Sequence, residues 1–410
     1  DGGATRKRPT PDTIWLPPHR RVTSPADFFW GDALQIHGTC DPQFAEVKAT
    51  FERNFTERND VGASVAVSIE GEYVVDLWGG HRDRAQTLPW EQDTIVNVYS
   101  TTKTMAAITL LLLADRGELD LYAPVKTYWP EFAQNGKDRV EVRHFMSHSA
   151  GLPGMDEPMR GSAVYDWEKM VDALARQGPW WEPGTASGYH ALTQGYLLGE
   201  VVRRVTGRSI GAFFAEEIVG PLGADFHIGT GPEHDHRIGE LIPPRADGAA
   251  DVGEADADSI AARTFKNPRI DARESGAEAW RRAEIPAANG HGNARSVVGV
   301  QTLVANLGSA FGKRLMSEAG TRAIFDEQTN GRDLVLGAPI RFGMGYGLTS
   351  DILPMGPNEN IAYWGGWGGS TAVIDQDARM CVSYVMNRMA GNLMGDVRGF
   401  KLLQAAYRSL

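Results

Sequence analysis

Cysteine is scarce: the 410 residues contain two, Cys40 and Cys381, near opposite ends of the chain. That count excludes a disulfide scaffold and leaves two free thiols as the expected state, with a single bridge between the ends as the alternative. Long apolar runs are missing as well. The longest, AAITLLLLA at residues 106–114, is far short of the about 20 residues that cross a bilayer, and reads as a buried helix. Basic excess is also absent. A formal net charge of -11 argues against a general nucleic-acid surface, which needs concentrated Lys and Arg. The opening DGGATRKRPTPDTIWLPPHRR has no apolar leader segment, and its prolines suggest an extended surface arm. The expected setting is cytoplasmic, or periplasmic or secreted where an N-terminal signal has been removed. Finally, the one G-x-S-x-G match, GRSIG at residues 207–211, directly follows the helical stretch TQGYLLGEVVRRVTG and so lacks the strand before the turn that an α/β-hydrolase elbow requires.

What is present is enough chain for one large core or two interleaved ones. In residues 41–58, Phe44, Val47, Phe51 and Phe55 recur at spacings of three and four, the pattern of an amphipathic helix. The period then shortens. GASVAVSIEGEYVVDLWGG reads as two Val-rich strands joined by a tight turn at Glu70-Gly71. A helix over residues 104–113 follows, with Gly117 placed to take a left-handed position just past its end. The middle, 124–277, mixes helical stretches with turns rich in Gly, Pro, His and Asp. Near the C-terminus, residues 371–374 and 380–386 read as strands around an Asp-rich turn, and the last residues as a helix. The expected architecture is α+β: an antiparallel sheet built from both ends of the chain (41–123 and 278–410) and flanked by helices. An N-terminal arm covers 1–40, and a mainly helical subdomain, 124–277, lines the site.

The stretch VNVYSTTKTMAA places Ser100 and Lys103 three residues apart at the head of that apolar helix. Side chains at i and i+3 share a helix face, so the amine can reach the hydroxyl. A serine becomes a nucleophile when a neighbour takes its proton, and a lysine can do so once burial lowers its pKa. The same spacing also describes a serine N-cap followed by a solvent-facing lysine. On the pattern alone, the cap is the commoner meaning.

Further segments change that weighting. DTIVNVYSTTKTMAA, LLADRGELDLYAPVKTYWPEF and VEVRHFMSHSAGLPG, with the later WWEPGTASGYHALTQGYLLGEVVRRVTG and YWGGWGGSTAVID, together resemble the serine hydrolases that include class C beta-lactamases, low-molecular-weight DD-peptidases and family VIII carboxylesterases. The closest likeness is to family VIII carboxylesterases, over about residues 44–390. The resemblance implies a beta-lactamase/DD-peptidase-like fold and an acyl-enzyme mechanism on small, short-acyl carboxylic esters. In it Ser100 is the nucleophile, and Lys103 and Tyr189 share the work of base and acid. Trp364-Gly365-Gly366 stands where related enzymes carry Lys-Thr-Gly, with Trp367-Gly368-Gly369 as the alternative frame. In the first frame the backbone N–H groups of Ser100 and Trp367 form the oxyanion hole. Trp364, Gly365, Gly366, Trp181 and His291 are expected on the substrate side. Beta-lactamases of class C have Asn two positions after the tyrosine. Here Ala191 takes that place and, with the missing basic residue, points away from efficient lactam hydrolysis. The resemblance implies no metal or organic cofactor. His148, in SHSAG, reads as part of a structural loop, and His234 and His236 are too few for a metal site. A beta-lactamase or peptidase, an acyltransferase, and a non-catalytic binding protein on the same fold are the rival readings. The expected partner is a small ester, not nucleic acid, and homo-oligomerisation is left open.

Overall fold

The two ends of the chain meet in one sheet. The computed structural model describes residues 34–244, 256–393 and 395–410, so most of the expected arm, 1–40, lies outside the described residues. Its last part, Ile36–Cys40, is not a free arm but an edge strand. The main sheet holds β1 (Ile36–Cys40), β2 (Gly62–Ile69), β3 (Glu72–Gly80), β4 (Thr329–Arg332), β5 (Pro339–Phe342), β6 (Gly347–Leu348), β7 (Ile361–Gly365), β8 (Thr371–Asp375) and β9 (Met380–Met386). Their order is β1-β3-β2-β9-β8-β7-β6-β5-β4, and every neighbouring pair is antiparallel. The junction is β2 against β9, where Ala63 pairs with Met386 and Ile69 with Met380. Glu70 and Gly71 both have positive φ, at 50° and 91°. A two-residue turn of that kind matches the right-handed twist of its strands.

Helices cover both faces. The principal ones are α1 (Ala45–Glu57), α2 (Thr102–Asp115), α3 (Thr193–Thr206), α4 (Ala294–Ala305) and α5 (Val397–Arg408). Alternation along β2 decides which side each meets. The Ser64 hydroxyl accepts from the Ala294 N–H at 3.0 Å, and Ser68 Oγ lies 2.7 Å from Thr302 Oγ1, so these positions face α4. Tyr384 of β9, paired with Val65 between them, points to the opposite face. There its hydroxyl meets Asp60, which also pairs with Arg398 of α5. The helix carrying Lys103, α2, has no solvent-facing side over most of its length: every residue from Thr102 to Leu113 is buried. Gly117 takes φ +73° just beyond its end. Cys40 and Cys381 are free thiols. Ile36–Leu410 form one compact unit, within which we propose 124–277 as the helical part that walls the site.

Candidate active site

Ser100 lies in a single 3-10 turn, Tyr99–Thr101, that runs into α2. The turn is held from below by a second chain segment. Asn97 Nδ2 donates to the carbonyls of Ala288 and Gly290 at 2.8 and 3.1 Å, Val98 N–H to Gly290 O at 2.9 Å, and Gly290 N–H to Thr102 Oγ1 at 2.9 Å. Tyr99 adopts φ +43°, a conformation that costs a side-chain-bearing residue about 1–2 kcal/mol. Its buried ring is fixed against Trp367 (5.2 Å between centroids) and Trp280 (6.2 Å). These contacts hold the strained residue that presents the next one, Ser100, to the cavity. The hydroxyl of Ser100 does not cap the helix. The cap position of α2 is Thr101, which makes no side-chain cap bond, and Ser100 Oγ instead faces Lys103 Nζ at 3.2 Å and Tyr189 Oη at 2.5 Å.

The lysine is fully accounted for. Nζ is 2.8 Å from Ala191 O and 2.8 Å from Ala287 O, in addition to Ser100. No carboxylate is within ion-pair distance of it among the described residues, and burial pushes its pKa well below the ordinary lysine value. A neutral amine has two N–H donors and one lone pair. With both donors directed to backbone carbonyls, the lone pair faces the serine. The Asn that class C enzymes carry at position 191 is replaced by Ala, but the Ala191 backbone carbonyl still holds the amine.

Tyr189 is buried, and burial raises its phenol pKa; the Ser100 hydroxyl and the nearby Trp364 indole counter that rise in part, and Asp333 adds to it. The Trp364 N–H approaches the phenol without full hydrogen-bond geometry. Burial therefore favours neutral amine beside neutral phenol over the ammonium–phenolate pair. Around the ring stand Trp364 (5.5 Å between centroids) and His148 (4.9 Å). His148 Nδ1 accepts from the His190 N–H at 3.0 Å, and His190 in turn has Nδ1 on Gly188 O at 2.6 Å and accepts from Leu152 N–H through Nε2. Burial holds both imidazoles neutral, His148 well below its ordinary pKa and His190 down to about 3. His148 thus supports the tyrosine from behind, and the partners of Ser100 Oγ are the amine and the phenol.

The strand carrying the Trp-Gly-Gly triplet runs beside this turn. Trp364 and Gly365 end β7, and Gly366 follows at a point where a Cβ would lie 2.0 Å from the Val98 carbonyl oxygen. Only glycine fits there. Ser370 Oγ donates to the same carbonyl at 2.9 Å and meets Thr101 Oγ1 at 2.9 Å, tying the strand's return to the serine turn. In the alternative frame, Gly368 and Gly369 have φ of 102° and 125° and belong to the turn between β7 and β8. Among the described residues, neither the Ser100 nor the Trp367 backbone N–H is engaged by a backbone carbonyl. Both residues line one cavity of about 20 Å³, closed by Ala191, Phe265, Ile270, Ala288 and Leu393. A larger cavity of about 710 Å³ has Arg160, Lys266 and Arg269 on its walls and does not include Ser100. Charged walls without the serine set it aside as the reaction site.

None of the expected substrate-side residues Trp364, Gly365, Gly366, Trp181 and His291 lines the Ser100 cavity itself, and two of them are engaged elsewhere. Trp181 does not line the Ser100 cavity: its indole donates to Ala186 O at 3.0 Å and packs over Gly188. His291 is buried with Nδ1 on Asn289 O at 2.8 Å and lines a separate cavity of about 400 Å³. Trp364 and Gly365 line an apolar cavity of about 140 Å³ that shares Leu393 with the serine cavity. His234 packs against His227 with tilted rings 4.1 Å apart, and His236 Nδ1 meets Glu233 O. No group of three or more His, Cys, Asp or Glu among the described residues is placed to hold a metal ion. Sequence reasoning missed Phe265, Ile270 and Leu393, which carry no motif, and Asp333, which reaches Tyr189 across 144 residues.

The family model described as Beta-lactamase matches residues 51–407. The Esterase/beta-lactamase LipL of Mycobacterium tuberculosis is 35% identical over 384 residues, covering 89% of this chain and 86% of that protein. Among solved structures, a family VIII carboxylesterase superposes with a TM-score of 0.86 at 41% identity, over 92% of this chain and 100% of that one. A penicillin-binding protein homologue from Caulobacter crescentus gives 0.85 at 39% identity, over 92% and 100%.

Proposed function

The chain belongs to the beta-lactamase family and is a serine hydrolase of the esterase kind; we propose that Ser100 is its nucleophile and that small, short-acyl carboxylic esters are its substrates. The observation that carries the reading is the contact of one hydroxyl with two proton-transfer partners. Ser100 Oγ is 3.2 Å from an amine whose other bonds go to carbonyls, and 2.5 Å from a phenol.

In the proposed cycle Ser100 Oγ bonds to the ester carbonyl carbon as its proton passes to Lys103 Nζ, and the carbonyl π pair moves onto oxygen. The backbone N–H groups of Ser100 and Trp367 are the donors assigned to that oxyanion. Collapse of the intermediate breaks the bond to the alkoxy oxygen, which takes a proton from Tyr189; Lys103 returns a proton to the phenol. Water repeats the sequence on the acyl-enzyme and releases the acid. A cavity of about 20 Å³ beside Ser100 is on the scale of one water-sized group, which favours short acyl chains. Lactam hydrolysis is the weaker activity in this reading. The triplet has Trp364 in place of a basic residue to attract a substrate carboxylate, and Ala191 in place of an amide.

The test is intact mass after treatment with a fluorophosphonate, on wild type and Ser100→Ala, beside turnover of p-nitrophenyl acetate, p-nitrophenyl butyrate and a penicillin. One adduct on wild type and none on the variant is expected, with esters cleaved faster than the lactam. An unlabelled wild type, or equal labelling of both, removes Ser100 from the nucleophile role.

A further inference from the structure

We infer that Asp333 is the positioning residue of Tyr189: its buried carboxylate grips the backbone from which the phenol reaches Ser100. The inference rests on the reading of Tyr189 as a proton-transfer partner of Ser100.

Asp333 follows β4 and is fully buried. Its Oδ1 accepts three backbone N–H groups, from Tyr189 at 3.0 Å, Val335 at 2.9 Å and Leu336 at 2.8 Å. The loop between β4 and β5 is closed on itself by Asp333 N–H to Ala338 O and Gly337 N–H to Asp333 O, both at 2.9 Å. It also reaches the tyrosine segment a second time, through Leu334 N–H to Ser187 O at 2.9 Å. Val335 joins the apolar cluster of Tyr189, Ala191, Phe342 and Trp364, with Leu336 packed against it. A hairpin at one end of the sheet is therefore a latch on the residue that touches the serine.

A turn of this kind needs one acceptor oxygen, which a neutral Asn supplies equally well. Asp333 instead buries a second oxygen, Oδ2, that has no hydrogen-bond partner among the described residues. A carboxylate left half-bonded in the interior is costly, and a turn alone gives no reason for it. Its negative field does act on the phenol, where it opposes loss of the proton. Asp333 thus fixes where the phenol stands, and its charge adds in small part to the burial that keeps the phenol an O–H donor.

A double-mutant cycle separates this role from plain support of the fold. Rates are measured on p-nitrophenyl butyrate, per active site titrated with fluorophosphonate, for wild type, Asp333→Ala, Tyr189→Phe and the double variant. Displacement of the phenol by about an ångström lowers kcat/KM about 100-fold, so Asp333→Ala is expected to lose about 30-fold to 100-fold in the parent protein. In the Tyr189→Phe background the same change is expected to lose less than about 3-fold. Should the Ala variant fail to fold, Asp333→Glu displaces the oxygens by one methylene and is expected to give the same pattern. Asp333→Asn keeps the acceptor, and recovers most of the rate. Equal losses in both backgrounds, or no loss in the first, overturn the role of Asp333. An unlabelled wild type, or Tyr189→Phe as fast as wild type, overturns the underlying reading instead.

Discussion

Gly366→Ala tests the oxyanion arrangement through a single methyl group. The new Cβ would meet the Val98 carbonyl oxygen at 2.0 Å and Ser370 Oγ at 2.4 Å. Reaching the 3.4 Å of an ordinary contact requires a displacement of about 1.4 Å, beyond what packed backbone absorbs without moving. The side-chain hydroxyl can rotate away. The carbonyl cannot, because Val98 is held by its own N–H to Gly290 O and lies two residues before Ser100. The strand bearing Trp367 and the turn bearing Ser100 must therefore part, and their two N–H groups separate. Loss of one oxyanion donor slows turnover by about 10²–10³, or about 2.7–4 kcal/mol, and an ångström of misplacement by about 10². For p-nitrophenyl butyrate, turnover is expected to fall about 100-fold below wild type, with the unfolding midpoint measured alongside. Gly391→Ala, with nothing within 4 Å of its Cβ, is the matched control and stays within about 2-fold. Turnover by Gly366→Ala within about 3-fold of wild type would refute the assignment of this strand to the oxyanion.

Further outcomes follow from the same geometry. Because burial depresses the Lys103 pKa and the proposed mechanism uses the base form, kcat/KM should rise with pH through that lowered value, on a limb well below the ordinary lysine range; a profile rising only near about pH 10 contradicts it. Linkage gives stability the same sign: the unfolded chain binds the lysine proton more tightly, so this group's contribution grows as pH rises from the folded to the unfolded pKa, readable in urea midpoints of wild type against Lys103→Met. Arg398→Ala leaves Asp60 buried with only Tyr384 as partner, and should cost about 3–5 kcal/mol in chemical denaturation. Gly71→Ala places a side chain at φ +91° and 2.6 Å from Asn306 Nδ2, and should lower stability by about 1 kcal/mol or more with little change in turnover.

The parts of this protein legible in its sequence are those set by short-range patterns. Alternating Val positions and Glu70-Gly71 specify the hairpin, the 3- and 4-residue spacing specifies α1, and the Ser100–Lys103 interval places both groups on one helical turn. Trp181 and His291 read as substrate-side residues because each sits in a segment beside a functional one. The Trp181 indole N–H and the His291 Nδ1 are turned to nearby carbonyls, Ala186 and Asn289, and side-chain direction in a loop has no periodicity from which to read it. Phe265, Ile270 and Leu393 escape for the converse reason. They are ordinary apolar residues whose role comes only from the chain returning over the serine. The strand at Ile36–Cys40 reads as part of an arm because five residues containing Gly38 and Cys40 carry little strand signal of their own; pairing with β3 supplies it.

The departures at Ala191 and Trp364 have different physical weights. Lys103 is held by two main-chain carbonyls and its pKa is lowered by burial, so in the proposed mechanism replacing the side chain at 191 leaves its base role standing. What an amide there would add is a polar group toward a substrate side chain. Trp364 is different, because it replaces a cation with an indole packed on Tyr189, and so removes attraction for a carboxylate while adding apolar wall. The proton-transfer machinery and the substrate preference are thus separable in this fold. Ala191→Asn should change the ratio of lactam to ester turnover more than it changes ester turnover itself, measured as kcat/KM for a cephalosporin against p-nitrophenyl butyrate. If ester turnover instead drops by about an order of magnitude while the ratio stays unchanged, position 191 acts on the lysine after all.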